Sequence, residues 1–301
     1  MKKRMLISIS MLAMAALLLA ACGGGKAAVT IRVSSKEFTE QFLLGNMYEM
    51  LLDEAGYDAT YAPVGGTSEN HAALLAGEID LYPEYTGTAL LTHLEGSYDP
   101  TMSAEDVYDI VAQEYADRWD LVVLDSTGFN NTYCLTMTQE MADDLGVVTL
   151  SDLSVKAPEL VFGTTQEFPE RPDGLVGLQD TYGGFNFAEV VALDPGLLYA
   201  GLDEGEIDVT TCFGTDGQIA AYNLVVLVDD LGFWPPYPVA PVIRSEVLEA
   251  NPDIAEILNQ LAPILDGTTM SGLNWEVAGN AREADEVARE FLLANGLISG
   301  D

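Results

Sequence analysis

The chain has 301 residues, 49% hydrophobic and 20% charged, which is enough for a soluble globule of one or two domains and excludes a disordered chain. Its 48 acidic and 12 basic residues give a formal net charge of −36, which argues against nucleic acid or an anionic membrane surface as a partner. Three cysteines and two histidines are too few for a zinc cluster or a disulfide framework, and they disfavour histidine-based catalysis.

Residues 1–21 have the pattern of a targeting segment. Lys2, Lys3 and Arg4 precede an apolar run from residue 5 to residue 21 that is too short for a comfortable transmembrane span. The run ends in small residues before Cys22, which resembles a bacterial lipobox, in which this cysteine is lipidated after cleavage. An ordinary signal peptide is the alternative. Residues 22–28 are then expected to form a flexible tether.

From Val29 onward, short β-branched runs alternate with helical stretches, a pattern typical of an α/β fold with mostly parallel strands. The first unit is a strand over 29–33, a loop over 34–37 and a helix whose apolar residues recur from Phe42 to Leu51. That loop follows the carboxyl end of its strand, the usual ligand edge of an open sheet. Further strands are predicted over 79–82, 121–124, 133–137, 160–163, 207–213, 224–228 and 239–243, and helices over 104–119, 253–265 and 281–294.

Segments 76–88 and 204–217 echo each other. Each has Gly-Glu-Ile-Asp, then a short strand, an aromatic residue and a turn containing glycine and threonine. Chance similarity between two helix-to-strand turns would give the same pattern. A true repeat would mean two similar lobes, each presenting one aromatic residue at a strand end and backbone N–H groups at the start of the next helix.

Seven short segments carry a resemblance to a known family: 35–41, 65–67, 82–88, 130–133, 167–174, 215–217 and 235–237. In this order they resemble the substrate-binding lipoproteins of ABC importers for glycine betaine, choline and carnitine, over nearly the whole mature chain. The resemblance implies a two-lobed α/β fold of the type II periplasmic-binding-protein class, with two crossover segments and a ligand cleft between the lobes. One lobe would contain residues 29–130 plus 237–301, and the other residues 131–236.

The resemblance implies an aromatic cage for a quaternary ammonium group, formed by Tyr85, Tyr133, Phe213 and Tyr237. Such a group has no N–H to donate, so ring faces recognise its diffuse charge, at roughly 0.5–2 kcal/mol per contact. Outside these motifs each ring would be interpreted as a core or rim aromatic. Phe213 stands where the family usually has tyrosine, so the ring face remains but a hydroxyl is missing, which leaves the exact ligand open.

The resemblance places Lys36, Thr88 and Arg171 at the carboxylate end of a zwitterionic ligand. Arg171 would bind both oxygens, Lys36 would act as a point charge, and Thr88 would add a hydroxyl at a turn entering a helix. The alternative for each cation is a surface ion pair with an acid nearby in the sequence. Those acids are Glu37 for Lys36 and Glu170 or Asp173 for Arg171.

The two remaining cysteines flank cage positions, because Cys134 follows Tyr133 and Cys212 precedes Phe213. Both thiols are therefore expected on strands of one lobe, just behind the cage. Two buried small hydrophobic side chains are the favoured interpretation, since a sequence cannot give the separation of the Cα atoms. A disulfide outside the cytoplasm is the alternative.

The sequence thus predicts a receptor without catalytic chemistry that captures glycine betaine, or a related quaternary ammonium solute such as carnitine or choline, by closing two lobes. Lipidated Cys22 would hold it at the outer face of the cell membrane, and the permease and ATPase would be separate chains, because no second apolar run of ~20 residues follows the first. Another small zwitterion on the same scaffold, such as ergothioneine, proline betaine or an amino acid, is the alternative. A secreted enzyme is disfavoured because His71 and His93 have no nucleophile motif nearby, and no cofactor or metal is predicted.

Overall fold

The computed structural model describes residues 29–300, so the predicted signal peptide, Cys22 and the tether lie outside the described residues. The described chain contains two five-stranded sheets. The strands are β1 (Thr30–Val33), β2 (Asp58–Tyr61), β3 (Leu81–Tyr85), β4 (Leu121–Val123), β5 (Tyr133–Thr138), β6 (Val161–Thr164), β7 (Glu189–Ala192), β8 (Val209–Phe213), β9 (Leu224–Val226) and β10 (Val239–Arg244).

Helices alternate with these strands along most of the chain, as the sequence pattern predicts. The α-helices are α1 (Thr39–Glu54), α2 (Thr67–Leu75), α3 (Thr86–Thr88), α4 (Ala104–Trp119), α5 (Gln139–Leu145), α6 (Leu150–Lys156), α7 (Leu175–Tyr182), α8 (Leu198–Asp203), α9 (Gln218–Ala221), α10 (Ser245–Ala250), α11 (Asp253–Asn259), α12 (Gly267–Ala278) and α13 (Ala284–Ala294). Short 3₁₀ segments occur at Ala157–Glu159, Phe168–Glu170 and Pro195–Leu197, and a π-helical turn at Ala89–His93.

Both sheets have the same strand order. The first is β2-β1-β3-β10-β4, and the second is β7-β6-β8-β5-β9. In each sheet three neighbouring strands pair in parallel, and the fourth strand in the order pairs antiparallel with both of its neighbours. Four of the five strands in each sheet therefore run in one direction, which confirms the predicted mostly parallel α/β pattern. The reversed strands, β5 and β10, are the first strands after the chain passes from one sheet to the other.

The sequence echo corresponds to a structural repeat, because β3 and β8 occupy the same position in the two sheets. The aspartate before each strand also makes the same bonds. The Asp80 carboxylate accepts a hydrogen bond from the Arg32 N–H, and the Asp80 N–H donates to the Arg32 carbonyl. Asp208 makes the same two hydrogen bonds with the N–H and the carbonyl of Val161. Each strand then ends in an aromatic residue, as predicted.

The two crossover segments, 124–132 and 227–238, run side by side. The Asn131 N–H donates to the Tyr237 carbonyl over 3.2 Å, and the Tyr237 N–H donates to Asn130 Oδ1 over 2.6 Å. The strands of the first sheet come from residues 30–123 and 239–244, and those of the second from 133–226. We call these two halves the first and second lobes, and their boundaries at residues 130 and 237 stay a prediction.

Local differences from the predicted elements have simple causes. Strands β2 and β7 were not predicted, because four-residue edge strands with charged or exposed positions leave little hydrophobic pattern. The helix predicted over 253–265 ends at Asn259, and the one predicted from 281 begins at Ala284. The remaining predicted strands and helix α4 fall within a few residues of their expected positions.

Helix α1 shows how the sequence positions the site. Its buried side chains, including Leu43, Met47 and Leu51, recur at helical spacing and pack into the core of the first lobe. Phe38 precedes the helix in an extended conformation (φ −153°, ψ 163°) and links it to the loop after β1. The first turn of α1 and the loop before it therefore lie at the carboxyl end of the first sheet, where ligands bind in open α/β folds.

Candidate ligand-binding site

One cavity of about 210 Å³ lies between the two lobes, at the ends of β3 and β8. It is smaller than the ~300–1,000 Å³ typical of drug-sized ligands, which suits a small solute. All four predicted cage positions line it, and so do two of the three predicted carboxylate-binding residues. The lining residues from these predictions are Lys36, Tyr85, Thr88, Tyr133, Phe213 and Tyr237.

The rings come together from both sheets because of strand register. Tyr133, at the start of β5, lies directly opposite Phe213, at the end of β8, and their ring centroids are 5.2 Å apart. Tyr237, from the second crossover, meets Tyr133 edge to face at 5.8 Å. Tyr85 is contributed by the other sheet, at the end of β3.

Phe38 is a fifth ring that the sequence analysis did not assign. It lines the cavity and is parallel to Phe213, with ring centroids 5.6 Å apart and planes inclined by 8°. Its centroid also lies 6.2 Å from that of Tyr85. The sequence contained a signal for this residue, because Phe38 belongs to the segment 35–41 and immediately follows the loop at the ligand edge.

Two of the predicted cage tyrosines are held in orientation by hydrogen bonds to buried acidic side chains. The Tyr85 hydroxyl donates to Glu40 Oε1 over 2.6 Å, and the Tyr237 hydroxyl donates to Asp173 Oδ2 over 2.7 Å. A phenol that donates to a carboxylate keeps its ring in one place at little cost on ligand binding. Burial raises the pKa of both phenols well above the ordinary tyrosine value, so the two rings stay neutral.

Lys36 is buried and paired, but with Glu84 of β3 and not with Glu37, its expected alternative partner. The Lys36 Nζ to Glu84 Oε1 distance is 2.5 Å, and His93 Nε2 lies 3.2 Å from Glu84 Oε2. Burial acts to raise the Glu84 pKa, but the charge of Lys36 and the His93 and Lys36 hydrogen bonds outweigh it and hold that pKa well below its usual range. Lys36 Nζ also lies 5.2 Å from the Tyr85 ring centroid.

Arg171 lies next to the cavity but is not one of its lining residues. Its Nε and Nη2 donate to the two oxygens of Asp173 over 2.7 and 2.8 Å, which was one of the expected local pairings. The guanidinium carbon lies 5.5 Å from the Tyr133 ring centroid. The remaining nitrogen, Nη1, is 3.4 Å from Thr67 Oγ1 and 3.5 Å from Glu167 Oε2.

Contacts between the lobes surround the cavity. The N–H of Thr67, at the start of α2 in the first lobe, donates over 3.1 Å to Glu167 Oε1 in the second lobe. Gly66 comes so close to that carboxylate that a side chain there would collide with it. Behind the rings, Thr215 of the second lobe contacts Glu40 of α1. The described arrangement is therefore a closed one.

Cys134 and Cys212 form a disulfide, so the favoured interpretation of two free thiols was wrong. They lie opposite each other on β5 and β8, next to the Tyr133–Phe213 pair, and their Cα atoms are 4.8 Å apart. Strand register, which the sequence does not give, decides this proximity. The bond joins the two strands that carry Tyr133 and Phe213.

Two further properties concern the described residues 29–300 alone. No helix there is both long and apolar enough to cross a membrane. No group of three or more histidine, cysteine, aspartate or glutamate side chains is arranged there to hold a metal ion.

Residues 29–294 match the family described as the substrate-binding domain of ABC-type glycine betaine transport systems. A glycine-betaine-binding protein of Pseudomonas aeruginosa is 33% identical over 283 residues, which cover 90% of this chain and 89% of that protein. The ergothioneine transport permease/ergothioneine binding protein EgtU of Helicobacter pylori is 34% identical over 267 residues, covering 88% of this chain, and the chain spans only 47% of that relative's length.

A solved structure of a glycine betaine/carnitine/choline ABC transporter has the same fold. It superposes with a TM-score of 0.71 and 30% sequence identity, covering 89% of this chain and all of the other. Its two-lobed form agrees with the pair of sheets described above, so the expected type II fold is confirmed. The chain therefore belongs to the family of substrate-binding domains of ABC-type glycine betaine transport systems.

Proposed function

We propose that the chain captures a small quaternary ammonium solute, namely glycine betaine, carnitine or choline, between its two lobes and presents it to an ABC importer. The observation that carries this proposal is the set of five rings, contributed by both lobes, around one small cavity. A permanently cationic trimethylammonium group offers methyl surface and diffuse charge, and both are matched by ring faces. Lobe closure removes water from these contacts and so strengthens them.

The proposed ligand orientation follows from the polar groups around the rings. Tyr85, Tyr133, Phe213 and Tyr237 would surround the ammonium group, with Phe38 completing the wall. Lys36 and Thr88 would meet the other end of the ligand, and Arg171 would reach it through Nη1, since its other two donating nitrogens are bound to Asp173. Both cations already have carboxylate partners, so a ligand carboxylate would share them.

The remaining parts of the proposal concern the chain's surroundings. The permease and ATPase would be separate chains, and lipidated Cys22 would tether the protein to the outer face of the cell membrane. The protein would bind and release its ligand without chemical change.

The proposal is tested by calorimetry and thermal unfolding of the purified protein with glycine betaine, carnitine and choline. A ligand that binds only the folded state raises the melting temperature by mass action, by an amount that grows with ligand concentration. The control is 3,3-dimethylbutan-1-ol, in which carbon replaces the ammonium nitrogen of choline, and it should bind far more weakly than choline. A folded protein that responds to none of the three amines would contradict the proposal.

Ergothioneine is a second candidate, because a relative 34% identical to this chain is described as its transporter. It also carries a trimethylammonium group and a carboxylate, so the same cage would accept it. It has in addition a ring, which glycine betaine lacks, and this ring would need more of the cavity. Adding it to the same calorimetric series ranks it against glycine betaine directly.

A further inference from the structure

Glu40, in the first turn of α1, joins both lobes to the cage. Its side chain is buried, and four polar groups surround its carboxyl. Oε1 accepts from the Tyr85 hydroxyl over 2.6 Å and from Asn131 Nδ2 over 2.9 Å. Oε2 lies 2.5 Å from Thr215 Oγ1 and accepts from Asn274 Nδ2 over 3.1 Å. One carboxyl group thus touches a cage ring, a crossover segment and the second lobe.

Counting hydrogens shows that this network needs a proton on Glu40. The Thr215 hydroxyl has one hydrogen, yet two oxygens lie within hydrogen-bond distance: Glu40 Oε2 at 2.5 Å and Asn131 Oδ1 at 2.9 Å. Asn131 Oδ1 cannot donate, and turning this amide over would place its oxygen against Glu40 Oε1. An ionised Glu40 would therefore leave one oxygen–oxygen contact without a hydrogen. A protonated Glu40 donates to Thr215, which donates to Asn131, and both contacts are satisfied.

The surroundings favour the same state. None of the ion pairs within residues 29–300 includes Glu40. The titratable groups that face it are the Tyr85 phenol and, from the loop after β8, Asp216; α12 contributes only the neutral Asn274. Burial raises the pKa of Glu40 more strongly than its hydrogen bonds lower it. Burial also raises the pKa of the neighbouring Asp216, to about 7.

We propose that Glu40 is a positioning residue of the ligand cavity: as a neutral carboxylic acid it fixes the Tyr85 ring and holds the second lobe through Thr215, so that closure takes up one proton and opening releases it. Opening separates Thr215 from α1 and exposes the acid to water, where it ionises above about pH 4.3. Closing must then restore the proton. Ligand affinity should therefore fall as pH rises, by up to tenfold per pH unit, until the closed form itself ionises.

This inference rests on the proposed function, and its test is calorimetry with choline and with glycine betaine between pH 5 and pH 8. Neither ligand titrates in this range. Titrations in two buffers of different ionisation enthalpy give the number of protons taken up on binding. The wild-type protein should take up a fraction of a proton approaching one, and its affinity should fall with rising pH.

Glu40→Gln is an uncharged isostere that can still accept from Tyr85 and donate to Thr215. It should bind with at least a tenth of the wild-type affinity at pH 5, and both the proton uptake and the pH slope should be strongly reduced. The matched control is Glu49→Gln on the same helix, a half-buried acid that accepts the Tyr61 N–H away from the cavity; it should keep the wild-type pH profile. Should Glu40→Gln not fold, Thr215→Val, which removes the hydroxyl that accepts the hydrogen bond of the protonated Glu40, should also reduce the proton uptake.

Three outcomes would overturn the inference: no proton uptake by the wild-type protein, an unchanged pH slope in folded Glu40→Gln, or loss of all binding in that variant. If the wild-type protein binds neither amine, the proposed function fails instead. The state of Glu40 in the closed form is read from the infrared spectrum of the amine-bound protein at pH 7, where a carboxylic acid C=O band present in the wild type and missing in Glu40→Gln supports the protonated form. Its absence from both proteins would sink the protonated form on its own.

Discussion

The Phe213 ring face is expected to contribute to affinity even though this residue lacks a hydroxyl. Phe213→Leu keeps an apolar side chain but removes the face, which should cost roughly 0.5–2 kcal/mol, or about two- to thirtyfold in the dissociation constant for the bound amine. Phe213→Tyr keeps the face and should retain affinity. Calorimetry measures both effects.

The control for this pair is Phe187→Leu. Phe187 stacks on Phe162 in the second lobe, with ring centroids 4.5 Å apart, and does not line the cavity. Phe187→Leu should lower the melting temperature without changing the affinity for the amine. Equal affinities for the wild type and Phe213→Leu would show that this ring does not contact the ligand.

The buried Lys36–Glu84 pair should be a major determinant of stability. Glu84→Gln leaves the Lys36 charge buried without its counter-ion, which should lower the free energy of unfolding by about 3–5 kcal/mol. Because the folded pKa of Glu84 is depressed, its contribution is present at neutral pH and is lost as pH falls below the ordinary glutamate value of about 4.3. Urea unfolding at pH 7 gives the difference in stability.

The same substitution at an exposed pair provides the comparison. On α4, Arg118 Nε lies 2.6 Å from Glu114 Oε2, and both side chains are exposed to solvent. Glu114→Gln should therefore lower the free energy of unfolding by no more than about 0.5 kcal/mol. Similar losses of unfolding free energy in Glu84→Gln and Glu114→Gln would mean that burial does not decide the strength of these ion pairs.

At the scale of elements, helix α2 packs through His71 against an aromatic cluster from α4 and the π-helical turn. The His71 ring is 4.0 Å from that of His93 and 4.5 Å from that of Trp119, and within the described residues neither of its nitrogens has a hydrogen-bond partner. Burial, followed by the proximity of His93, lowers the pKa of His71 to about 4. This histidine therefore packs as a neutral ring.

The pH dependence of stability tests this packing. In the unfolded chain His71 regains a pKa of about 6.5, so the unfolded state binds more protons and the free energy of unfolding falls as pH falls from about 6.5 to about 4. His71→Phe removes the titrating group and should flatten the profile over this interval, with little loss of stability at pH 8. Parallel profiles for the two proteins would contradict the assignment.

For the whole molecule, closure depends on the fit of Gly217 in the second lobe against α12 of the first. A Cβ at Gly217 would lie 2.7 Å from Trp275 Cβ and 3.1 Å from the Ser271 carbonyl oxygen. Gly217→Ala should therefore disfavour the closed form and weaken ligand binding, by roughly tenfold if a tenth of the molecules remain able to close. X-ray scattering should give a larger radius of gyration with ligand than for the wild type.

Gly272→Ala is the matched control, because Gly272 lies on α12 itself with no neighbouring atom within 4 Å of the added Cβ. It should leave affinity unchanged and stabilise the helix by up to ~1 kcal/mol. If both alanine variants bind like the wild type, contact between Gly217 and α12 does not limit closure.

The sequence by itself determined the alternation of strands and helices, and its short motifs carried the resemblance that implied the two-lobed fold and that predicts the four cage positions. These features are local: a hydrophobic pattern, a turn, or a ring inside a short segment such as 82–88 can be seen without knowing what lies opposite. The echo around Asp80 and Asp208 is of the same kind, since each aspartate directly precedes its strand.

Only the tertiary structure decided which groups meet across the chain. Lys36 pairs with Glu84, 48 residues away, instead of its neighbour Glu37; Cys134 bonds to Cys212 because β5 and β8 are in register; and Glu40 meets Thr215 over a separation of 175 residues. In a chain with 48 acidic residues, composition cannot select the partner of a buried cation. The physical reason is that burial makes each such pairing strong, and burial is a property of the packed lobes and not of the segment that carries the residue.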